Sequence, residues 1–294
     1  KLRNALFDVS VNPFGTLYNP ESMAEEIDCA LNLSYFSKSD LFNENGMYRT
    51  FRRHSSFSSN DPDEMIGRLN ADLESAHSDL LNADLLALTF GSSIIFSHLS
   101  SGKVVANCHK QDSRLFERRM MSAAEITERW IQIIRRLKSV NPGIRIILTI
   151  SPVRHVGYGL AADRLSKSTL CVACHEIAST FSNGEVIYFP SYEILVDDLR
   201  DYRFYKDDLA HPSDMAVEYV YDIFCKSFMT ADVIDYAHRW EKLLRGLGHK
   251  PRSAESDFKA QMLKKAEALA AESPYKDSIL QRIKKLTIND ISYQ

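Results

Sequence analysis

The segment Leu199 to Ser213, LRDYRFYKDDLAHPS, mixes charged, aromatic and apolar residues with neither a helical nor a strand period, and so reads as a loop. At its end Asp208-Leu209-Ala210-His211 sets a carboxylate three residues before an imidazole. Pro212, Ser213 and the apolar-periodic run Val217, Val220, Phe224 follow at once and signal a helix start. A carboxylate beside a histidine can hold the ring through one nitrogen and stabilise the imidazolium. The other nitrogen is then free to take a proton from a hydroxyl nucleophile. That is the base half of a hydrolase or transferase. The same spacing also suits a loop-to-helix cap, with the aspartate serving backbone amides. A second copy, Asp235-Tyr236-Ala237-His238, lies in a helix-like run with Trp240, Leu243 and Leu244, where positions three apart simply share a face; it reads as a solvated pair.

Other groups that could do chemistry cluster at the ends of apolar runs. Asn12-Pro13-Phe14-Gly15, closed by Tyr18-Asn19-Pro20, is a turn in which glycine permits backbone geometry other residues resist. Gly91-Ser92-Ser93 follows the run Leu85 to Phe90, and Asn107-Cys108-His109-Lys110 brings an amide, an imidazole and an ammonium together after Val104-Val105. Ser151-Pro152-Val153-Arg154-His155 follows Ile144 to Ile150, and Pro190-Ser191-Tyr192-Glu193 follows Val186 to Phe189. The aperiodic stretch Asp40 to Pro62, with Tyr48, Phe51, Arg52, Arg53, His54 and Phe57, is too long for a simple connector and reads as a binding loop or lid, with His54 as a candidate contact.

Those groups need a scaffold that gathers strand ends. Leu85 to Phe90, Ile144 to Ile150 and Val186 to Phe189 read as buried parallel strands, the first covered on both faces; a short alternation at Val9 and Val11 stops at Pro13. Helices are expected over Ser22 to Asn32, Asp63 to Asn82, Ser122 to Ser139 and Ser166 to Ser179, and Lys1 to Phe7 reads as the last turns of another. The alternation implies βαβ units, a parallel sheet with helices on both faces, and polar strand ends along one edge, where open α/β sheets bind ligands. After Phe228 the texture changes to helices with polar faces: Tyr236 to Leu247, Phe258 to Ala271 and Ile279 to Leu286, joined by His249-Lys250-Pro251 and Glu272-Ser273-Pro274. The expected organisation is an α/β domain over residues 1–229 and a helical extension over 230–294.

Composition excludes several classes. At 294 residues the chain can bury a full core, and no apolar run is long enough to span a membrane. A net charge of −3 with no basic stripe makes nucleic acid a poor partner. Five scattered cysteines, Cys29, Cys108, Cys171, Cys174 and Cys225, argue against a disulfide framework and for a reducing, cytoplasmic compartment. Cys171-Val-Ala-Cys174 lacks the strand of a redox motif and the further ligands of a zinc site, so it reads as a pair of small buried hydrophobes. No glycine-rich phosphate loop is present, and no metal or nucleotide cofactor is expected. Oligomeric state is not legible.

The set NPFG (12–15), YNP (18–20), NCHK (107–110), SPVRH (151–155), FPSYEI (189–194) and LRDYRFYKDDLAHPS (199–213) resembles the GSCFA-domain proteins of bacteria, within the wider SGNH hydrolase group. The resemblance covers roughly Lys1 to Phe228 and implies a flavodoxin-like three-layer α/β sandwich. It also implies a serine nucleophile on a short loop after the first strand, a histidine base within D-x-x-H, and an oxyanion hole of backbone amides and a polar side chain. Carried onto this chain, Asp208 and His211 are orienter and base, and Gly15 an oxyanion donor. Gly91 opens the position of a G-x-N-D block whose asparagine is missing here, with Ser92, Ser93 or Asn107 as substitutes. The motif that should carry the serine is expected upstream of Lys1 together with the first, central strand, so an incomplete sheet or site is expected for these residues alone. The implied activity is a serine-dependent esterase or O-acyltransferase acting on a small O-acyl group of a carbohydrate or similar metabolite. His54, His109, Arg154 and Arg203 are then candidate substrate contacts. The alternative is a binding or interaction module for a carbohydrate or metabolite that keeps the fold without the chemistry.

Overall fold

The computed structural model describes residues 1–5, 7–247, 255–273, 276, 277 and 279–281. Caps fix where its helices begin. Helix α1 (Pro20–Asn32) opens on Asn19, whose side-chain oxygen accepts from the Ser22 amide at 2.7 Å. The hairpin β1 (Phe42–Glu44) and β2 (Met47–Arg49) turns through Asn45 and Gly46, both at positive φ (52° and 81°), as a two-residue hairpin turn of this hand requires. Helix α2 (Pro62–Asn82) starts on Asp61, which accepts from the amides of Asp63 and Glu64, with proline in the first turn where its missing N–H costs nothing.

Strand β3 (Leu85–Phe90) is followed at once by an antiparallel sheet of β4 (Ile94–His98), β5 (Val104–Val105) and β6 (Phe116–Met120), in order β5-β4-β6. A capping box between Ser122 and Glu125 starts α3 (Ala123–Val140), which leads to β7 (Arg145–Ile150), α4 (Leu160–Thr180) and β8 (Val186–Phe189). Strands β3, β7 and β8 form one parallel sheet in that order, with Leu85 opposite Arg145 and Phe90 opposite Ile150. Leu88, Phe90, Ile146, Leu148 and Ile150 pack with Trp130, Ile133 and Leu137 of α3, Leu170 and Ile177 of α4, and Leu73 and Leu80 of α2. The mixed α/β arrangement, a parallel sheet flanked by helices, is compatible with the expected three-layer sandwich.

Two expectations change. Among the described residues β3 is an edge strand, and Leu85, Ala87 and Thr89 on one of its faces are exposed, so it is covered on one face rather than two. Val9 and Val11 form no strand, because two alternating residues ahead of Pro13 give a ladder too little to pair with.

The chain divides into two compact units. Residues 11–220 hold both of the larger sheets, and everything about the site below concerns this unit. After the short helix α5 (Ser191–Glu193) and a π-helical turn (Ile194–Leu199), α6 (Asp214–Phe228) leads out of it. The second unit joins residues 1–10 to 221–294. There α7 (Ala231–Leu247) and α8 (Glu255–Ala270) pack around Trp240, Leu244, Ala266 and Leu269, and Leu2–Ala5 forms a 3-10 turn against α7. His249-Lys250-Pro251, Pro274 and most of the expected helix Ile279 to Leu286 lie outside the described residues. The second D-x-x-H is no dyad, since Asp235 pairs with Arg239 one turn on, at 3.0 Å.

Candidate functional site

The loop after the π-helical turn closes as a small hairpin. Tyr205 and Pro212 form an antiparallel bridge, Lys206 N–H donates to the His211 carbonyl at 2.8 Å, and Leu209 N–H donates to the Lys206 carbonyl at 2.9 Å. At its tip both roles open to Asp208 are filled at once. One carboxylate oxygen accepts from the amides of Ala210 and His211, each at 2.9 Å, and the other accepts from His211 Nδ1 at 2.6 Å. Those two amides, and then the ring, hold the Asp208 carboxyl down at about 2, well below its ordinary 3.8. A carboxylate only accepts, so Nδ1 carries the proton and Nε2 is left as the basic nitrogen. The His211 side chain is 57% exposed, and among the described residues Nε2 has no hydrogen-bond partner.

The hairpin hangs from the end of β7. Arg154 N–H donates to the Ala210 carbonyl at 3.2 Å, and the Arg154 guanidinium stacks on the Tyr205 ring, 4.3 Å from its centroid. One residue on, the His155 imidazole lies beside Gly91 at the end of β3, edge-on to Tyr18 and stacked on Tyr158. Burial and the Lys167 ammonium push His155 below its ordinary value, so the ring is neutral at physiological pH. Lys167 itself is 1% exposed and joins the two strand ends, donating to the carbonyls of Gly91 and Ser151 at 2.6 Å each. Burial lowers it to about 8. Beside it the hydroxyls of Ser92, Ser93 and Ser166 form a buried cluster. The ends of β3 and β7 and the Asp208–His211 turn therefore share the carboxyl edge of the sheet.

The other expected residues divide. Gly91 makes a close approach: a β-carbon there would meet the Tyr18 carbonyl oxygen at 2.9 Å. Its amide and that of Ser92 both donate to this oxygen, at 2.8 and 3.0 Å. Gly15 sits at φ 75° with its amide donating to the Asn12 carbonyl at 2.8 Å, so neither glycine presents an unengaged N–H to a reacting oxygen. Asn107 accepts from the His109 amide of its own turn, and the His109 ring donates from Nε2 to the Thr50 carbonyl, buried against Phe42 and Phe51. Burial pushes His109 below its ordinary value. His54 Nδ1 accepts from the Ser56 amide and caps a 3-10 turn, with its β-carbon near Gly15. Arg203 is exposed and lies 3.7 Å from Asp201. No described contact joins Asn107, His109 or His54 to the His211 turn.

The stretch Asp40 to Pro62 is pinned rather than hung as an open lid. Arg53 is fully buried, 2.5 Å from Glu26 of α1 and between the rings of Phe14 and Phe36; Arg52 also pairs with Glu26. The C-x-x-C pair sits on α4 with both thiols free and pushed up by burial, Cys171 to about 11, which suits small hydrophobes rather than reactive thiolates. A concavity of about 520 Å³ on α3, lined by Thr127, Ile131, Arg135 and Glu176 among others, contains none of the candidate residues. The sequence reading missed Lys167. Its signal was present: a lysine in register with Leu170, Cys174 and Ile177 on the buried face of a helix needs acceptors in the core.

Fold and site together define an α/β protein with an aspartate–histidine dyad at the carboxyl edge of a parallel sheet. The chain belongs to the GSCFA family, whose family model matches residues 1–224. No curated protein and no solved structure matches it.

Proposed function

We propose that this protein is a serine-dependent ester hydrolase or O-acyltransferase of the SGNH type, in which Asp208 and His211 are the orienter and the base. The observation that carries this reading is the 2.6 Å bond between Asp208 and His211 Nδ1, which leaves Nε2 open at the carboxyl edge of the sheet. The nucleophile that the resemblance to the SGNH group implies is a serine. In the first step the serine oxygen bonds to the acyl carbon while its proton passes to His211 Nε2. The ester C–O bond then breaks, and the imidazolium returns the proton to the departing alkoxide. Water or an acceptor hydroxyl repeats the sequence on the acyl-serine. Asp208 stabilises the imidazolium in both halves. Substrates are O-acyl esters of a carbohydrate or similar metabolite, with Arg154 beside the dyad as a contact.

The test is labelling of the full-length protein with a fluorophosphonate. His211→Ala is expected to slow labelling by roughly a hundredfold or more; a variant labelled as fast as wild type removes His211 as base. A second reading, a carbohydrate- or metabolite-binding module without catalysis, is favoured by the engagement of the Gly15 and Gly91 amides with backbone carbonyls. It predicts no labelling in either protein.

A further inference from the structure

Leu209 stands between the orienter and the base at φ 55°. Left-handed backbone disfavours a residue with a β-carbon by roughly tenfold, and hairpin turns that need it take glycine or asparagine. Among the described residues the other leucine at positive φ, Leu33, ends α1, where its amide and that of Ser34 close onto the carbonyls of Ala30 and Cys29. Leu209 has a comparable backbone bond, from its amide to the Lys206 carbonyl, but no apolar packing beside it: its side chain is 48% exposed and joins none of the apolar clusters of the described residues. Further exposed apolar side chains are carried by the same loop (Tyr202), by the first turn of α6 (Met215) and by the segment two residues beyond Arg154 (Val156). A bulky hydrocarbon is thus held at positive φ two positions before the His211 base, with nearly half of its surface uncovered.

We propose that Leu209 is a specificity-determining residue whose side chain packs on the hydrocarbon of the acyl group. This makes esters of apolar chains, butyryl to octanoyl, better substrates than acetyl esters. The inference rests on the ester reading above and deepens it. A ligand chain lying on Leu209 covers surface the folded protein leaves wet, and carries its carbonyl carbon past Ala210, the one residue that separates Leu209 from His211.

The test uses the full-length chain with labelled leucine methyl groups, titrated with octanoate and with acetate, beside a panel of acetyl, butyryl and octanoyl p-nitrophenyl esters. Octanoate, and not acetate, is expected to shift the Leu209 methyl and His211 imidazole signals. Leu209→Gly, which fits the turn without strain, is expected to weaken octanoate binding about tenfold and to lower the octanoyl-to-acetyl ratio of kcat/KM by a similar factor; Leu209→Met restores both. Equal octanoate affinity in wild type and glycine variant, or no octanoate binding, overturns the assignment. The two readings separate cleanly. Leu209-dependent binding of octanoate with no ester turned over keeps the contact and removes the ester chemistry. Turnover indifferent to chain length in both proteins does the reverse.

Discussion

Asp208 shows why a short motif read two ways need not choose between them. Its two oxygens serve different masters, one the turn amides and the other the imidazole, so the cap is what orients the carboxylate toward the ring. The residue types and spacing were legible in the sequence; the division of labour was not, because it depends on the left-handed backbone at Leu209. Lys167 was the harder residue to see, since a lone lysine in a helix is normally a solvated one. Its lowered value gives a signed prediction. With its folded value near 8 against an ordinary 10.5, the folded chain releases this proton before the unfolded chain does, so raising the pH through that window adds stability. A neutral amine keeps two N–H groups for the Gly91 and Ser151 carbonyls, so the contacts survive the change. Urea unfolding of wild type and Lys167→Met should show the wild type gaining up to about 3 kcal/mol on the variant between about pH 7.5 and 10.5. A gap that stays constant places the lysine in water.

Among the elements, the parallel strands and helices α2 and α3 were read nearly to their ends, since each carries its own period or an unbroken apolar run, whereas α4 starts at Leu160, six residues before the expected Ser166. The hairpin at 42–49 was not, although Asn45-Gly46 is the strongest two-residue hairpin signal; three-residue strands leave no alternation to support it. The antiparallel sheet was missed for the same reason. Strand β5 is two residues long, and β6 reads FERRM, with charges where a period of two would need apolar residues. What holds the insertion is a buried charge cluster no periodicity could announce. Glu26→Gln should cost about 3–5 kcal/mol in chemical denaturation, because it strands the Arg53 guanidinium in the core without its counter-charge. A loss no larger than that of a surface glutamate would mean that the aromatic rings of Phe14 and Phe36, not the carboxylate, keep Arg53 inside.

Across the whole molecule, the order β3-β7-β8 sets a gradient of protection. Strand β7 is paired on both sides and β3 on one, so hydrogen exchange should be slowest in β7. The β3 amides that point away from β7 should exchange at least about tenfold faster. Equal protection would show the outer edge of β3 to be covered in solution. A sequence period reports which faces are apolar but not how many neighbours a strand has, so an edge position could not be read from LLALTF. Nor could the association of residues 1–10 with the C-terminal helices, which joins stretches more than two hundred positions apart. That distance in sequence bears on how the chain assembles. The parallel sheet must bring Leu85 to Arg145 across sixty residues, whereas the turn that carries the dyad closes between Phe204 and Ser213, nine apart. Hairpins of that span close in about 1–10 μs, and distant pairings lag by orders of magnitude. The imidazole is thus expected to meet its carboxylate early in folding, before the sheet is built beside it.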